Sequence, residues 1–551
     1  MLNRANRVSI FQHPIFLAIT FFFLSMGIHL IGIDALSLTS DECFSIYHAQ
    51  MSPRLIYHHL STGNNPPLHE WILHYWMLCF GDSAFSVRFL SLIFSSLTTA
   101  LIFILGTRIS AGLELLKLNQ PSGADANPGT EQTNEATKDL ARKYPNVGLG
   151  SIAAILFLAS NYTGFLAHEA RTYNLTLFLG VLSTISFIDA MKSGKIRDFL
   201  LYGLVGGLLC LSHFFGIWIL LAQGSFWIFG IRVNNPKAKS MVGAVLGFGI
   251  SFGWYIPNLW YRFVDSASQG TWVNPAPWDA PYLTLWKYFN NPVATILVIV
   301  LLISLTVFLI KYKSSRGSQN HILIFWTFAL PFFGQWILSL NHPLSIPMFT
   351  ERYASITLPF LCLSVSMSLS IIPTRLGSFD TFLKPLPLII VMLLGKNFTP
   401  PNQASAREAI QNIQTKLGHR WNEIPIVLEP YYSAFQMLYY IDHKRFKQHQ
   451  NELSEPQVLY DHLASQLSRS NVWIMKTTKS LDSLGLSNNK RLTYLHFGTE
   501  KSAHTKAIEQ QLEELTTAGG NIQGHTIHIP KKLWGTTEIT AEAEFWLIEK
   551  K

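Results

Sequence analysis

Apolar residues are unevenly spread along this 551-residue chain. Up to about residue 396 they gather into long runs with almost no charge; beyond it the runs shorten and charges interleave. The long runs lie near 14–33, 84–107, 147–166, 173–190, 199–213, 214–231, 240–258, 292–310, 321–340, 353–372 and 384–396. Most approach the ~20 residues a helix needs to cross ~30 Å of hydrocarbon. The stretch 199–231 is long enough for two spans and divides at its polar interruption, Ser212-His213-Phe214. The pattern predicts an α-helical polytopic membrane protein with about 11 transmembrane helices. After Asn397, alternation predicts strands over 424–429, 471–476, 491–496, 522–529 and 545–550. Amphipathic spacing predicts helices over 403–418, 456–468 and 502–516. Together these predict a small α/β domain over 397–551, appended to a membrane region over 1–396.

Charge adds a direction. Only 14% of residues are charged, against about 25% in soluble domains, which excludes a soluble enzyme. Of the net +9, the first 396 residues carry 25 basic and 17 acidic groups, and the remainder 17 and 16. With Arg4 and Arg7 inside, alternation of the spans leaves 18 Lys and Arg in inside connections and 7 on the opposite side up to Lys396. That asymmetry is the positive-inside bias. The basic surplus is topology, so no nucleic-acid partner is expected. The reading is a multi-pass cell-membrane protein with a cytoplasmic N-terminus and a long outer loop over 34–83. A polar cytoplasmic loop follows over 108–146, and the C-terminal domain is extracytoplasmic, periplasmic in a two-membrane envelope. The four cysteines show no CxxC spacing. Cys43 and Cys79 share the first outer loop, which leaves a disulfide open; burial as small apolar groups is the plainer reading.

The first outer loop holds the candidate chemistry. Asp41-Glu42 stands just beyond the first span, where adjacent carboxylates are costly unless they hold a cation or take part in a reaction. A solvated acid pair is the plain alternative. Segments 43–60 and 66–80 alternate aromatic and polar residues as interfacial helices do. Gly63-Asn64-Asn65-Pro66-Pro67 turns sharply between them. His69-Glu70-Trp71-Ile72-Leu73-His74 imitates a zinc-protease motif, but its histidines are five apart and HExxH requires four. A divalent cation shared by Asp41 and Glu42, with His58 in reach, is the one cofactor left open. In the outer loop 261–290, Trp272, Trp278, Tyr282 and Trp286 fit an interfacial aromatic belt better than a sugar-stacking surface.

The order of these features resembles a family. A first span is followed by Asp41-Glu42, two interfacial helices, Asn65-Pro66-Pro67-Leu68, and Phe80-Gly81-Asp82-Ser83-Ala84-Phe85-Ser86-Val87-Arg88. The layout is similar to the bacterial protein mannosyltransferase and aminoarabinose transferase group, integral-membrane glycosyltransferases of the GT-C class. His168-Glu169-Ala170-Arg171-Thr172-Tyr173 resembles its second outer loop, Ser212-His213-Phe214-Phe215-Gly216 a segment at an outer span end, and Glu351-Arg352-Tyr353 the entry to a late span. The likeness covers roughly residues 14–395.

What the resemblance implies is an inverting enzyme that takes a sugar from a polyprenyl-phosphate carrier and gives it to an envelope acceptor, whether lipid, glycan or protein, at the outer face of the bilayer. Asp41 matches the family's catalytic acid and is the expected general base, with Glu42 orienting the acceptor. Arg171 and Arg352 are expected at the lipid phosphate, with His213 and Lys287 as further contacts. Asn64, Asn65, Glu169, Tyr173 and Tyr353 are expected around the substrate. Plain alternatives are an Arg171–Glu169 pair, an Arg352–Glu351 pair, a structural His213, and Arg88 packed near the headgroups. The group often carries Lys or His just before the Pro-Pro pair, where this chain has Asn64 and Asn65, so a basic phosphate contact or metal ligand is missing there. The rival readings are a transporter or flippase of lipid-linked sugars and a non-enzymatic envelope-assembly subunit.

Overall fold

The computed structural model describes residues 14–61, 63, 65–118, 147–230, 238–269, 273–312, 318–342, 345–372, 383–396, 406–429, 431–447, 459–474, 491–497, 521–530 and 539–549. Each long apolar run contains helix. Among the described residues, six stretches are long and apolar enough to cross a membrane: Ala84–Ser110, Tyr173–Ser193, Ser240–Arg262, Pro292–Tyr312, Gln319–Ser339 and Glu351–Ile371. A seventh results if Val147–Ala159 and Asn161–Ala167, bent by 70°, count as one broken span. Pro14–Leu30 and Gly216–Ile228 are apolar but shorter. Fewer helices therefore pass this test than the eleven apolar runs.

Packing follows membrane rules. On Pro292–Tyr312, Ile296, Val300, Ile303, Val307 and Ile310 form one exposed stripe at three- and four-residue spacing, while Val298, Leu302, Leu305 and Leu309 are buried. An outward apolar face of this kind belongs against lipid. Where helices meet, small residues let backbones touch. A Cβ at Gly203 would lie 2.1 Å from the Ala244 carbonyl oxygen, and one at Gly247 would lie 2.2 Å from that of Leu200. These glycines weld Ile196–Ser212 to Ala238–Phe252.

The bend at Ser160 breaks a helical hydrogen-bond ladder inside the membrane region, so the freed groups need other partners. Asn290, buried at φ 70°, supplies two of them and ties the bend to a third helix. Its Oδ1 accepts the Asn161 N–H at 2.7 Å, and its Nδ2 donates to the Ala159 carbonyl at 2.8 Å and the Met392 carbonyl at 2.9 Å. Lys396 Nζ donates to the Leu158 and Ser160 carbonyls at 3.1 and 2.8 Å. The short helix beyond the bend delivers the loop 168–172.

The first loop forms three helices rather than two: Ser40–Ala49, Pro53–Leu60 and Leu68–Phe80. Pro53 occupies a first-turn position, and Ser52 before it is extended (ψ 151°), so the chain cannot run through as one helix. The C-terminal region contains all five predicted strands: β1 (Ile426–Glu429), β2 (Val472–Ile474), β3 (Arg491–Phe497), β4 (Asn521–Pro530) and β5 (Ile539–Glu549). They form one sheet in the order β2-β1-β3-β5-β4, with β1 parallel to β2 and β3, and β5 antiparallel to β3 and β4. Helices Ala406–Leu417 and Leu459–Ser468 match prediction; Ala434–Ile441 and His443–Lys447 were not foreseen. The helix expected over 502–516 lies outside the described residues.

The core of this domain is continuous with the first loop. Cys43, Ile46 and Tyr47 pack in one cluster with Ile410, Leu428, Phe435 and Leu463. Cys43 is a free thiol in that core and Cys79 a free, exposed one, so the two are not bridged.

Candidate active site

Thr39-Ser40-Asp41-Glu42 opens the helix Ser40–Ala49 as a capping box. Thr39 Oγ1 accepts the Glu42 N–H at 3.2 Å, and Glu42 Oε2 accepts the Thr39 N–H at 2.8 Å. Asp41 therefore sits in the first turn, where the helix dipole favours a negative charge.

The two adjacent acids have separate environments. Glu42 is fully buried. Arg88 holds it through two bonds, Nε to Oε1 at 2.7 Å and Nη2 to Oε2 at 2.8 Å, and the Ala170 N–H donates to Oε1 at 3.0 Å. Burial opposes its charge; Arg88 and the two backbone donors more than offset that and hold the carboxyl below its ordinary range. Arg88 also donates to the carbonyls of Ile33, Leu36 and Ser37. It is 3% exposed, so it does not pack near the headgroups: it clamps the end of the first span to the start of the loop.

The Asp41 side chain is 53% exposed and borders a cavity of about 280 Å³. Arg352 Nη1 donates to its Oδ2 at 3.0 Å, and Arg171 Nη1 donates to its main-chain carbonyl at 3.0 Å. Surrounding protein atoms oppose the charge on Asp41; the Arg171 and Arg352 guanidiniums outweigh them and lower its titration. Arg352 forks, its Nη2 lying 3.3 Å from Glu169 Oε1. Glu169 is 4% exposed, and its Oε2 is buried without a hydrogen-bond partner. Burial raises its carboxyl to about 7; Arg352 pulls it down, while Glu42 and Asp41 add to the rise.

Arg171 is set by a relay. Its Nη1 also donates to Ser45 Oγ at 2.8 Å, and Ser45 Oγ donates to the buried Glu70 at 2.9 Å, while Arg171 Nε is buried and unpartnered. The Arg171 guanidinium does not pair with Glu169, and Arg352 pairs with Asp41 and Glu169 rather than with Glu351. Glu351 is taken by Lys287, 2.6 Å away.

His213 accepts the Phe215 N–H on Nδ1 at 3.2 Å, which puts the ring proton on Nε2, a buried atom with no partner. Its ring packs 5.3 Å from Tyr353 and 5.9 Å from Tyr173, and Tyr353 stacks on Phe215 at 4.5 Å. Asn65 lines the cavity, and Asn64 lies outside the described residues. Glu42 has no oxygen to spare for a cation, and Arg352 already engages Asp41. Among the described residues no group of three or more His, Cys, Asp or Glu is arranged to hold a metal ion, so the two acids do not fit the cation-sharing arrangement. His58 lies on Pro53–Leu60, its ring 6.2 Å from that of His59.

Sequence reasoning missed two things. Glu42 is a cap and a buried ion-pair partner, and Thr39-x-x-Glu42 is a readable capping-box signal. The C-terminal domain supplies the far wall of the cavity through Tyr432, Phe435 and Tyr460; the Tyr431-Tyr432 pair is readable as a sugar contact, with core packing the plainer expectation, and no local motif marks Phe435 or Tyr460. In the loop 261–290, Trp278 is exposed and packs edge-on to Trp336 at 5.7 Å, away from this cavity; Trp272 lies outside the described residues.

No protein-family model matches the chain, and no curated protein matches it by sequence. Two crystal structures are similar over nearly the whole length. The apo state of ArnT from Cupriavidus metallidurans has a TM-score of 0.50 and 10% identity, covering 97% of this chain and 98% of that one. The same enzyme bound to undecaprenyl phosphate has a TM-score of 0.45 and 11% identity, covering 96% and 97%. The chain has an ArnT-like, GT-C-type fold.

Proposed function

We propose that this chain, built on the ArnT-like fold, is an inverting glycosyltransferase that uses a polyprenyl-phosphate-linked sugar and acts at the outer face of the membrane. The observation that carries the reading is the pairing of an ionised, half-exposed Asp41 with two guanidiniums at one edge of a small cavity. An acceptor hydroxyl attacks the anomeric carbon. The bond from that carbon to the phosphate oxygen breaks, its electron pair leaves with the phosphate, and the hydroxyl proton passes to Asp41. Arg171 and Arg352 balance the charge gathering on the leaving phosphate, and His213 Nε2 is a further donor nearby. Arg352 leaves Asp41 for the phosphate as donor binds, which frees the base. Glu42 serves by fixing the turn that carries Asp41. Lys287, held by Glu351, tethers the turn that carries Arg352 and reaches the phosphate only by leaving that partner. The outer-face assignment rests on the Lys and Arg distribution.

The test is chemical. Full-length protein in proteoliposomes receives polyprenyl-phosphate sugars and an acceptor extract from the cells that make it. Free polyprenyl phosphate is expected to appear in step with glycosylated acceptor. The liposomes can be oriented by labelling exposed Cys79 with an impermeant maleimide, and turnover is expected only where label and acceptor share a side. A flippase would move the donor with the sugar–phosphate bond intact, and an assembly subunit would leave it untouched; either result sinks the proposal.

A pH effect follows from Glu169. Below about 7 its carboxyl is neutral, and Arg352 is freer to meet phosphate. As pH rises through that value the carboxylate forms, competes for Arg352 and removes one unit of positive charge from the cluster. The KM for donor is expected to rise severalfold from pH 6 to 8, and Glu169→Gln to flatten that slope. An equally steep slope in the variant would remove Glu169 from donor binding.

A further inference from the structure

Asp41 stands between a cluster of ion-paired side chains and a cavity. On one side are Arg352 and Glu169, joined to it by the forked ion pair. On the other is the cavity of about 280 Å³, which Arg171 lines and Arg352 does not. If phosphate takes Arg352, and Arg171, bonded to the Asp41 carbonyl, reaches it from the cavity's border, the cavity itself is left to the acceptor, because a base must touch the hydroxyl it deprotonates. We infer that this cavity is the acceptor subsite and that the acceptor is a saccharide, its ring lying against Tyr432, Phe435 and Tyr460. This rests on the glycosyltransferase reading above and adds to it the acceptor's chemical class.

Size and lining point the same way. The volume is just below the ~300 Å³ lower end of small-molecule pockets, enough for about one ring-sized group and too little for bundled acyl chains. Phe44 from the first loop stands 5.3 Å from Phe435, and Phe435 5.7 Å from Tyr460, both edge-to-face. These rings present apolar faces to the C–H face of a sugar, while His59, Asn65 and Ser40 at the margin suit its hydroxyls. A peptide docking by strand addition would need an open strand edge, and among the described residues no strand residue lines the cavity. The wall is tied to the base: Ser40 Oγ donates to the Tyr432 carbonyl at 2.5 Å, one residue from Asp41. Tyr432 is half exposed, so its ring can be removed without opening the core.

The test uses full-length protein in nanodiscs and two probes. These are oligosaccharides released by mild acid from the envelope of the producing cells, followed by saturation-transfer NMR, and polyprenyl phosphate. Wild type is expected to bind both. Tyr432→Ala with Tyr460→Ala should weaken oligosaccharide binding at least tenfold and leave polyprenyl phosphate within twofold, and Tyr432→Phe should change neither. Retained polyprenyl-phosphate binding shows that the double variant is folded; if it is not, Tyr432→Ala alone is expected to lose severalfold of the oligosaccharide affinity. Unchanged oligosaccharide binding in the aromatic variants, or a wild type that binds polyprenyl phosphate only, overturns the inference and leaves the glycosyltransferase reading standing. A parallel loss of polyprenyl phosphate in folded variants assigns the wall to the donor and also overturns it. A wild type that binds neither probe ends both.

Discussion

Asp41→Asn is expected to lower the rate of sugar transfer by about 10²–10⁴-fold, the range that loss of a general base produces, while the protein still folds and binds donor. The side chain is half exposed and makes one ion pair, with Arg352, so little of the packing depends on it. Removing its charge also frees Arg352, so donor affinity is expected to hold or improve. The discriminating measurement is kcat against donor KM in proteoliposomes. A variant with normal kcat would show that Asp41 is not the base. A variant that lost donor binding and kept kcat would show that Asp41 organises the phosphate site instead.

Arg88→Ala is expected to have the largest effect on stability, about 3–5 kcal/mol, because it leaves the Glu42 carboxylate buried without its partner. It also strips a donor from the carbonyls of Ile33, Leu36 and Ser37, each orphaned group adding to the loss. Thermal unfolding and limited proteolysis of the purified chain measure it, and cleavage is expected first within 34–52, where the clamp is lost. Glu42→Gln keeps the shape, but its single amide oxygen accepts only one of the two backbone N–H groups of Thr39 and Ala170; because it leaves no cavity and no buried carboxylate, it should cost less than Arg88→Ala. If Arg88→Ala unfolded at the wild-type temperature, the clamp would be no more than a surface contact.

Much of this was legible because its physics is local. Long uncharged runs become helices wherever they fall, and five short alternating segments became the five strands of one sheet. Asp41, Arg171, Arg352 and Glu169 could be nominated from short motifs, and the fold gathers them although 311 residues separate Arg352 from Asp41. What was hidden depends on three-dimensional partners. No spacing pairs Arg88 with Glu42, 46 residues apart, and an Arg beside a span end reads as a headgroup contact until its partner is seen. Arg352 stands next to Glu351, yet their partners are Asp41 and Lys287, because neighbours on a short helical turn point apart. Phe435 and Tyr460 look like core residues, and they also wall a cavity whose opposite side is nearly 400 residues earlier.

That shared core sets a clock on the protein's manufacture. The turn that carries Asp41 is among the first parts made, and the aromatic wall that borders the same cavity is made far later. Until residues 431–467 have emerged and docked on Cys43, Ile46 and Tyr47, the nascent chain holds the Asp41 carboxylate with no enclosed chamber beside it. The chamber is closed in one late step, so on the proposed reading a chain halted anywhere in its membrane region would transfer no sugar.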